Sequence, residues 1–144
     1  KPREIEVSVL GNDQPVASVP GEVVPGEDFY TYSAKYLSDN SQLLIPAPLS
    51  DEQTQEIQRI AVQTYRAIDC AGMARVDFLL DRQTERIYVS EVNTIPGFTQ
   101  ISMYPKLWEA SGLPYAELLD QLIELAVERK TDRDRTEFHY RREG

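Results

Sequence analysis

Two short runs of alternating polar and apolar residues constrain this chain more than any other part of it. Arg75 and Asp77 flank one valine, and Glu91 and Asn93 flank another, within segments rich in β-branched and other apolar residues. Because side chains alternate between the two faces of a strand, each pair shares one face. The polar segment 81–85 is typical of a hairpin connection. The pattern therefore predicts two antiparallel strands that bring four polar side chains together.

These four side chains suit a divalent cation bound to phosphate. If the two faces coincide, Asp77, Glu91 and Asn93 offer hard oxygen ligands, and the guanidinium of Arg75 adds positive charge. Mg²⁺ on a polyphosphate takes one or two carboxylates and phosphate oxygens at about 2.0–2.1 Å. The alternative is an ordinary solvated face of an antiparallel sheet, where alternating charges are common. The apolar neighbours favour the metal site, because an unpaired carboxylate among them is costly.

Composition excludes several classes of function. The 144 residues are enough for one domain with a substantial core, and 41% hydrophobic content fits an α+β globular domain. A net charge of −9 argues against nucleic acid or an anionic membrane as partner, since both bind through basic residues. No apolar stretch approaches the roughly 18 residues of a membrane span, and no signal peptide pattern is present. With one cysteine, Cys70, we expect a reduced cytoplasmic protein without internal disulfides.

Turn residues divide the N-terminal part of the chain. Residues 1–10 alternate as a strand, the segment 11–13 predicts a hairpin turn, and 14–19 predicts a second strand. Residues 29–48 have no sustained period and predict a long loop, with a short extended piece around 30–35. The chain starts without methionine, which we interpret as the sign of a fragment of a longer protein.

Cap residues predict two helices on either side of the hairpin. Ser50 and Gln53 have the spacing of a capping box, and Gly72 is expected to close that first helix as its left-handed residue. Ser102 is the expected N-cap of a short second helix, which Gly112 closes.

A last helix is predicted over about 114–129. Its apolar face is expected to be buried, and comprises Tyr115, Leu118, Leu119, Leu122, Ile123 and Ala126. The remaining segment, 130–144, is almost entirely charged or polar and is predicted to be a disordered tail.

Together these motifs resemble the C-terminal part of the D-alanine-D-alanine ligases of the ATP-grasp superfamily. The resemblance covers roughly residues 3–129 and rests on four segments in order, which are Phe29-Tyr-Thr-Tyr-Ser-Ala-Lys35-Tyr36, Gly72-Met-Ala-Arg75-Val-Asp77-Phe, Glu91-Val-Asn93-Thr-Ile-Pro-Gly97-Phe-Thr and Ser102-Met-Tyr-Pro-Lys-Leu-Trp. It implies an α+β ATP-grasp C-terminal domain, over residues 1–129, in which helices pack on one face of an antiparallel sheet. Ser90 departs from the asparagine expected before the glutamate.

The resemblance also implies catalytic roles. Asp77, Glu91 and Asn93 match the ligands of two Mg²⁺ or Mn²⁺ ions, with Glu91 bridging them between the ATP phosphates. Arg75 matches the arginine that contacts the transferred phosphoryl group and the tetrahedral oxyanion, and the N–H of Gly97 matches its partner donor.

Substrate and nucleotide contacts are implied in the same way. Ser102 and Met103 match the residues that receive the carboxylate of the second D-alanine, although Ser102 alone would be explained as a helix cap. Lys35 and Tyr36 match a mobile loop that closes over the ATP phosphates and the substrates.

Two weaker matches concern the nucleoside. Glu4 matches a carboxylate that bonds the ribose of ATP, and Phe29 matches an aromatic residue of the adenine pocket.

The implied function is ATP-dependent joining of two D-alanines through an acyl phosphate, which supplies peptidoglycan precursors in the cytoplasm. Alternatives are a D-alanine-D-lactate or D-alanine-D-serine ligase, another ATP-grasp enzyme, or a catalytically silent module. Tyr36 beside Lys35 resembles the dipeptide-forming group. The expected partners are D-alanine, ATP, the upstream half of the same enzyme and a second subunit in a homodimer. The isolated chain is expected to be inactive.

Overall fold

A computed structural model describes residues 1–25, 42–99 and 101–135. In these ranges an antiparallel sheet has the strand order β4-β3-β1-β5-β6, and β2 pairs with β1. Its strands are β1 (Arg3–Gly11), β2 (Val16–Ala17), β3 (Gly21–Val24), β4 (Gln42–Leu44), β5 (Gly72–Leu80) and β6 (Ile87–Asn93). The helices are α1 (Asp51–Ala67), α2 (Met103–Ala110) and α3 (Tyr115–Asp134). The α+β class and the antiparallel sheet are thus confirmed.

The helices lie on both faces of the sheet and not on one face as expected. Ile5, Val7 and Val9 of β1 belong to the core cluster that contains the buried side chains of α1. The intervening Ser8 and Leu10 turn the other way: Ser8 Oγ donates to the carbonyl of Tyr104 in α2 at 3.1 Å, and Leu10 packs in a cluster with residues of α2 and α3. The second half of β1 is therefore buried on both faces, which requires a helix layer on each side.

Helix α1 begins as predicted and ends differently. The capping box is formed, with Gln53 N–H donating to Ser50 Oγ at 3.2 Å and Ser50 N–H donating to Gln53 Oε1 at 3.2 Å. The helix ends at Ala67, and the left-handed residue after its C-cap is Asp69, with a φ of 53°. The prediction that Gly72 closes α1 is wrong, because Gly72, with a φ of 79°, is the first residue of β5.

Three other predictions concern ends of elements. Gly112, with a φ of 90°, follows the C-cap of α2 and confirms its predicted position. Strand β2 has two residues in place of the predicted 14–19. Strand β4 lies inside the predicted loop 29–48, whose residues up to 41, including the extended piece around 30–35, fall outside the described residues.

Helix α3 is longer and more exposed than predicted. It continues through Asp134, five residues into the segment 130–144 that was expected to be disordered, and residues 136–144 fall outside the described ranges. Leu118 is buried, but Tyr115, Leu119 and Ile123 are 37%, 39% and 63% exposed and Ala126 is exposed too, so the predicted apolar face is wrong for these four residues. The helix meets the sheet through the narrower stripe of Leu118, Leu122 and Leu125. Within the described ranges, no helix combines the length and apolar character needed to cross a bilayer.

One buried ion pair ties β1 to β3. Arg3 donates from Nε and Nη2 to the two carboxylate oxygens of Glu22, at 2.9 and 2.7 Å, and Glu22 is 4% exposed. Arg3→Met would leave this carboxylate buried without its cation, so we expect a loss of about 3–5 kcal/mol of unfolding free energy in urea titration. The double variant Arg3→Met/Glu22→Leu removes the charge as well and should recover most of the loss. Equal stability of the two variants would contradict this account.

Candidate functional site

The hairpin of β5 and β6 brings the four predicted polar residues to one face of the sheet. In its register Arg75 is opposite Asn93 and Asp77 is opposite Glu91. Directly opposed residues of an antiparallel pair point to the same face, about 5 Å apart between Cβ atoms. The condition on which the sequence interpretation depended, that the two polar faces coincide, is met.

A β-bulge separates this polar half of β6 from its apolar half. Phe78 pairs with Val89, so Ser90 is an extra residue with no partner in β5. Ile87, opposite Leu80, packs on the α1 side, whereas Glu91 lies on the opposite face. Because these two residues of β6 are four positions apart, they would share one face in a regular strand. The bulge therefore changes the phase of the alternation, so that the core and the site can lie on opposite faces of one strand.

Arg75 and Asp77 form a two-point ion pair at the centre of the site. Arg75 donates from Nε to Asp77 Oδ1 and from Nη2 to Asp77 Oδ2, both at 2.7 Å. The amide nitrogen of Asn93 donates to Asp77 Oδ2 at 3.1 Å and to Glu91 Oε1 at 3.2 Å. The cluster therefore links all four predicted residues by hydrogen bonds, with both carboxylates held on one amide.

Burial makes the negative charge of this cluster costly. The side chains of Asp77 and Arg75 are 14% and 21% exposed. Burial raises the pKa of Asp77, and the charge of Glu91 adds to this, although the hydrogen bond and charge of Arg75 act in the opposite direction. Desolvation favours a lower pKa for Arg75, but the surrounding carboxylates raise it above its ordinary value. Arg75 is therefore fully charged here. Its positive charge nevertheless does not offset the cost of burying the negative charge of Asp77.

Glu6 of β1 is a member of the cluster that the sequence did not reveal. It lies opposite Asp77 in the register of β1 and β5, and its Oε2 is 3.1 Å from Arg75 Nε. Burial raises the pKa of Glu6 to about 7 against the effect of Arg75, and the charges of Asp77, Glu4 and Glu91 act in the same direction as burial. Its alternation with Ile5 and Val7 predicts that Glu6 points to the face opposite the core. The sequence does not predict that β1 pairs with β5, because these strands are distant in sequence, and only this pairing brings Glu6 to the site.

The donor set fits a divalent cation. Asp77, Glu91 and Asn93 provide two carboxylates and one amide in hydrogen-bond contact, which are the oxygen ligands that Mg²⁺ prefers. The raised pKa of Asp77 indicates negative charge for which a cation would compensate. Among the described residues, no group of three or more His, Cys, Asp or Glu side chains has metal-holding geometry. The site would therefore rely on the Asn93 amide and on ligand oxygens.

Ser102 precedes α2 as predicted, but its hydroxyl is not a helix cap. The side chain makes no capping bond to α2. Its Oγ accepts from the N–H of Thr99 at 3.0 Å and lies 2.9 Å from Thr99 Oγ1. A Cβ on Gly97 would be 3.0 Å from Ser102 Oγ, so the missing side chain of Gly97 leaves room for the hydroxyl. The predicted N-cap position of Ser102 is therefore confirmed, but its side chain bonds to Thr99 and makes no capping hydrogen bond.

The start of α2 lies near the carboxylate cluster. Gly21 is opposite Glu6 in the register of β1 and β3, and a Cβ on Gly21 would be 3.0 Å from the methyl carbon of Met103. Met103 is 6% exposed. The helix start that carries Met103 therefore packs on the same sheet face as Glu6 and the hairpin residues.

The remaining candidates concern the nucleotide. Glu4 is exposed and shares the sheet face of Glu6, two residues away along β1. Phe29, Lys35 and Tyr36 fall outside the described residues, and their predicted roles stay predictions.

Fold and site together define a class of protein: an antiparallel α+β domain whose central hairpin gathers two carboxylates, an amide and a guanidinium on one sheet face. A family described as "D-ala D-ala ligase C-terminus" matches residues 1–124. The chain belongs to this family.

Individual relatives agree with the family match. The D-alanine–D-alanine ligase of Clostridium novyi (strain NT) is 59% identical over 127 residues, which cover 88% of this chain and 37% of that protein. The structure of the D-alanine-D-alanine ligase from Coxiella burnetii superposes with a TM-score of 0.81 at 46% identity, over 94% of this chain and 34% of that one. The D-alanine–D-alanine ligase from Bacillus anthracis complexed with ATP superposes with a TM-score of 0.75 at 26% identity, and the match covers 92% of this chain and 40% of that one. The chain thus spans less than half the length of these relatives.

Proposed function

We propose that this chain is the C-terminal part of an ATP-dependent D-alanine-D-alanine ligase. The observation that carries the proposal is the register of the hairpin, which puts Asp77 opposite Glu91 and Arg75 opposite Asn93 on one face. Family membership supports the same reaction, and the ATP complex of a structural neighbour supports ATP as its co-substrate.

The proposed reaction has two chemical steps. The carboxylate of one D-alanine attacks the γ-phosphorus of ATP, which gives an acyl phosphate and ADP. The amine of a second D-alanine then attacks the acyl carbon, and the tetrahedral intermediate expels phosphate. The first step brings an anion to an anion, so the site must supply positive charge.

The cluster around Arg75 would meet this requirement. Asp77, Glu91 and Asn93 would hold two Mg²⁺ or Mn²⁺ ions, which when bound neutralise charge on the ATP phosphates. Arg75 would direct its guanidinium at the transferred phosphoryl group and at the developing oxyanion. The N–H of Gly97 would donate to the same oxyanion.

Ser102 and Met103 would bind the carboxylate of the second D-alanine at the start of α2. The N–H groups and the dipole of a helix N-terminus both favour an anion. The Ser102 hydroxyl is suited to this contact because it lies at the N-cap position and makes no capping hydrogen bond to its own helix.

The contact between Gly97 and Ser102 gives a prediction for this subsite. Gly97→Ala places a Cβ about 3.0 Å from Ser102 Oγ, which displaces the hydroxyl, since an ångström of misplacement can cost up to about 100-fold in rate. We expect steady-state kinetics to show KM for the second D-alanine raised about 10-fold or more and KM for ATP unchanged. Glu109→Ala, an exposed position near the other end of α2, serves as the control. Equal KM changes for both substrates would contradict the assignment.

Most of the remaining site would come from outside the described residues. Lys35 and Tyr36 would close over the phosphates and exclude water that hydrolyses the acyl phosphate. Phe29 would line the adenine pocket, and Glu4, within β1, would bond the ribose. An upstream part of the same enzyme would bind the first D-alanine. A homodimer in the cytoplasm, supplying peptidoglycan precursors, completes the proposal.

Turnover of D-alanine tests the proposal. The full-length protein should form D-alanyl-D-alanine with one ADP and one phosphate per dipeptide, whereas the isolated 144 residues, which span little more than a third of the length of their relatives, should form none. Assays with D-lactate or D-serine as second substrate distinguish the variant ligases. Absence of ATP-dependent product from the full-length protein with any of these substrates would favour the silent module.

A further inference from the structure

Glu6 holds a buried carboxylate oxygen that has no hydrogen-bond donor among the described residues. Its Oε2 lies 3.1 Å from Arg75 Nε. However, the single hydrogen on Nε points to Asp77 Oδ1 at 2.7 Å, so Glu6 Oε2 is left without a hydrogen bond. Buried acceptors in native proteins nearly always have a partner, and an exception calls for a physical reason.

We infer that Glu6 is a positioning residue: it is the second anchor of the Arg75 guanidinium, and receives the Nε–H when Asp77 turns to a divalent cation. This inference rests on the proposed function. Asp77 cannot give both oxygens to Arg75, as it does here, and also coordinate a cation fully. Arg75 would then lose its orientation at the moment when it must face a phosphoryl group. Glu6 stands 3.1 Å from the released donor, on the opposite strand, and a small rotation of the guanidinium completes the bond.

Two competing roles for Glu6 fit the structure less well. As a third carboxylate ligand it would form a metal-holding group with Asp77 and Glu91, and no such group exists within the described ranges. As a purely structural residue it should have its buried atoms paired within the fold, but its Oε2 is buried and receives no hydrogen bond among the described residues. A buried carboxylate that destabilises the fold and lies 3.1 Å from Arg75 Nε is better explained by a role in holding that arginine.

Hydrogen exchange at Arg75 Nε tests the inference in the full-length ligase. The protein is labelled with ¹⁵N-arginine, and exchange is measured without cation and with MgCl₂ plus a non-hydrolysable ATP analogue. In the unchanged protein we expect Nε–H to stay protected in both states. In Glu6→Gln we expect protection without cation, because Asp77 holds the proton. With the magnesium nucleotide we expect exchange faster by about 10-fold, because the uncharged amide oxygen of glutamine is a weaker acceptor than a carboxylate.

Kinetics provide a second measurement. Glu6→Gln should lower kcat about 10-fold while KM for ATP changes less than about 2-fold, since the lost contact orients a group that acts on the transition state. Glu6→Asp keeps the negative charge on a shorter side chain, and its kcat should lie between those of the unchanged protein and Glu6→Gln. The control is Glu56→Gln, which removes the carboxylate partner of Arg59 on the exposed face of α1 and should change neither measurement.

The outcomes separate this inference from the proposed function. If the unchanged protein turns over and responds to the magnesium nucleotide, but Glu6→Gln matches it in exchange and in kcat, the inference is overturned and the ligase proposal stands. If Glu6→Gln exposes Nε–H equally with and without cation, Glu6 is a static partner and the inference also fails. If the unchanged protein neither turns over nor responds to the magnesium nucleotide, both proposals fail together.

Discussion

Glu91→Gln is expected to reduce the kcat of the full-length ligase by about 10²–10³-fold. The substitution keeps the shape of the side chain and can keep its hydrogen bond from Asn93 Nδ2, which is 3.2 Å in length. It removes one of the two negative charges that would hold the divalent ions. Metal ions supply several kcal/mol of charge stabilisation in such reactions, and each 1.36 kcal/mol is about a factor of ten in rate. The Mg²⁺ concentration for half-maximal activity should rise as well, which a titration at saturating ATP measures.

A matched substitution on the same hairpin separates this effect from a general loss of charge. Glu85→Gln removes one carboxylate from the exposed turn between β5 and β6 and should leave both kcat and the Mg²⁺ requirement unchanged. If Glu91→Gln behaved like Glu85→Gln, Glu91 would not be a metal ligand and the proposed site would have to be placed elsewhere. A fall in kcat with an unaltered Mg²⁺ requirement would assign Glu91 a role that does not involve the cation.

The hairpin could be predicted from sequence because its information is local. Alternation with period two placed Arg75 with Asp77 and Glu91 with Asn93, and one polar turn joined the two strands. The bulge at Ser90 has a local signal too. Ile87 and Glu91 are four residues apart, but one is apolar and the other charged. A regular strand would place both on the same face, so either the isoleucine would leave the core or the glutamate would enter it. A conflict of this kind within one strand is itself a prediction of a bulge.

Longer-range features were beyond the sequence patterns. Glu6 reaches the site only through the pairing of β1 with β5, which connects segments on either side of α1. The two helix layers follow from Ser8 and Leu10, whose burial depends on where α2 packs. In α3 the apolar pattern was wide, but the sheet meets only one stripe of it, so Leu119 and Ile123 remain exposed. Local periodicity fixes which residues share a face, and tertiary packing decides whether that face is covered.

Glu6 also predicts how the stability of the cation-free protein depends on pH. Its pKa is raised from 4.5 to about 7 in the fold, mainly by burial. Between these values the folded protein keeps a proton that the unfolded chain has lost, so the unfolding free energy falls as pH rises. The shift corresponds to a contribution of about 3 kcal/mol that is fully present below pH 4.5 and is lost by about pH 7. Asp77 contributes in the same direction, because its pKa is raised too.

Glu6→Gln removes this titration and should make the cation-free fold less sensitive to pH. Relative to the unchanged protein, the variant is expected to gain about 3 kcal/mol of stability between pH 5 and pH 8, measured as the opening free energy from hydrogen exchange of β1 and β5 amides. Glu56→Gln gives a flat control, because the hydrogen bond from Arg59 lowers the pKa of Glu56 from 4.5, so its stability difference from the unchanged protein should not vary between pH 5 and pH 8. Parallel stability curves for Glu6→Gln and the unchanged protein would mean that Glu6 titrates normally. A carboxylate that weakens the fold at neutral pH and lies against the central arginine is consistent with a site that sacrifices stability for function.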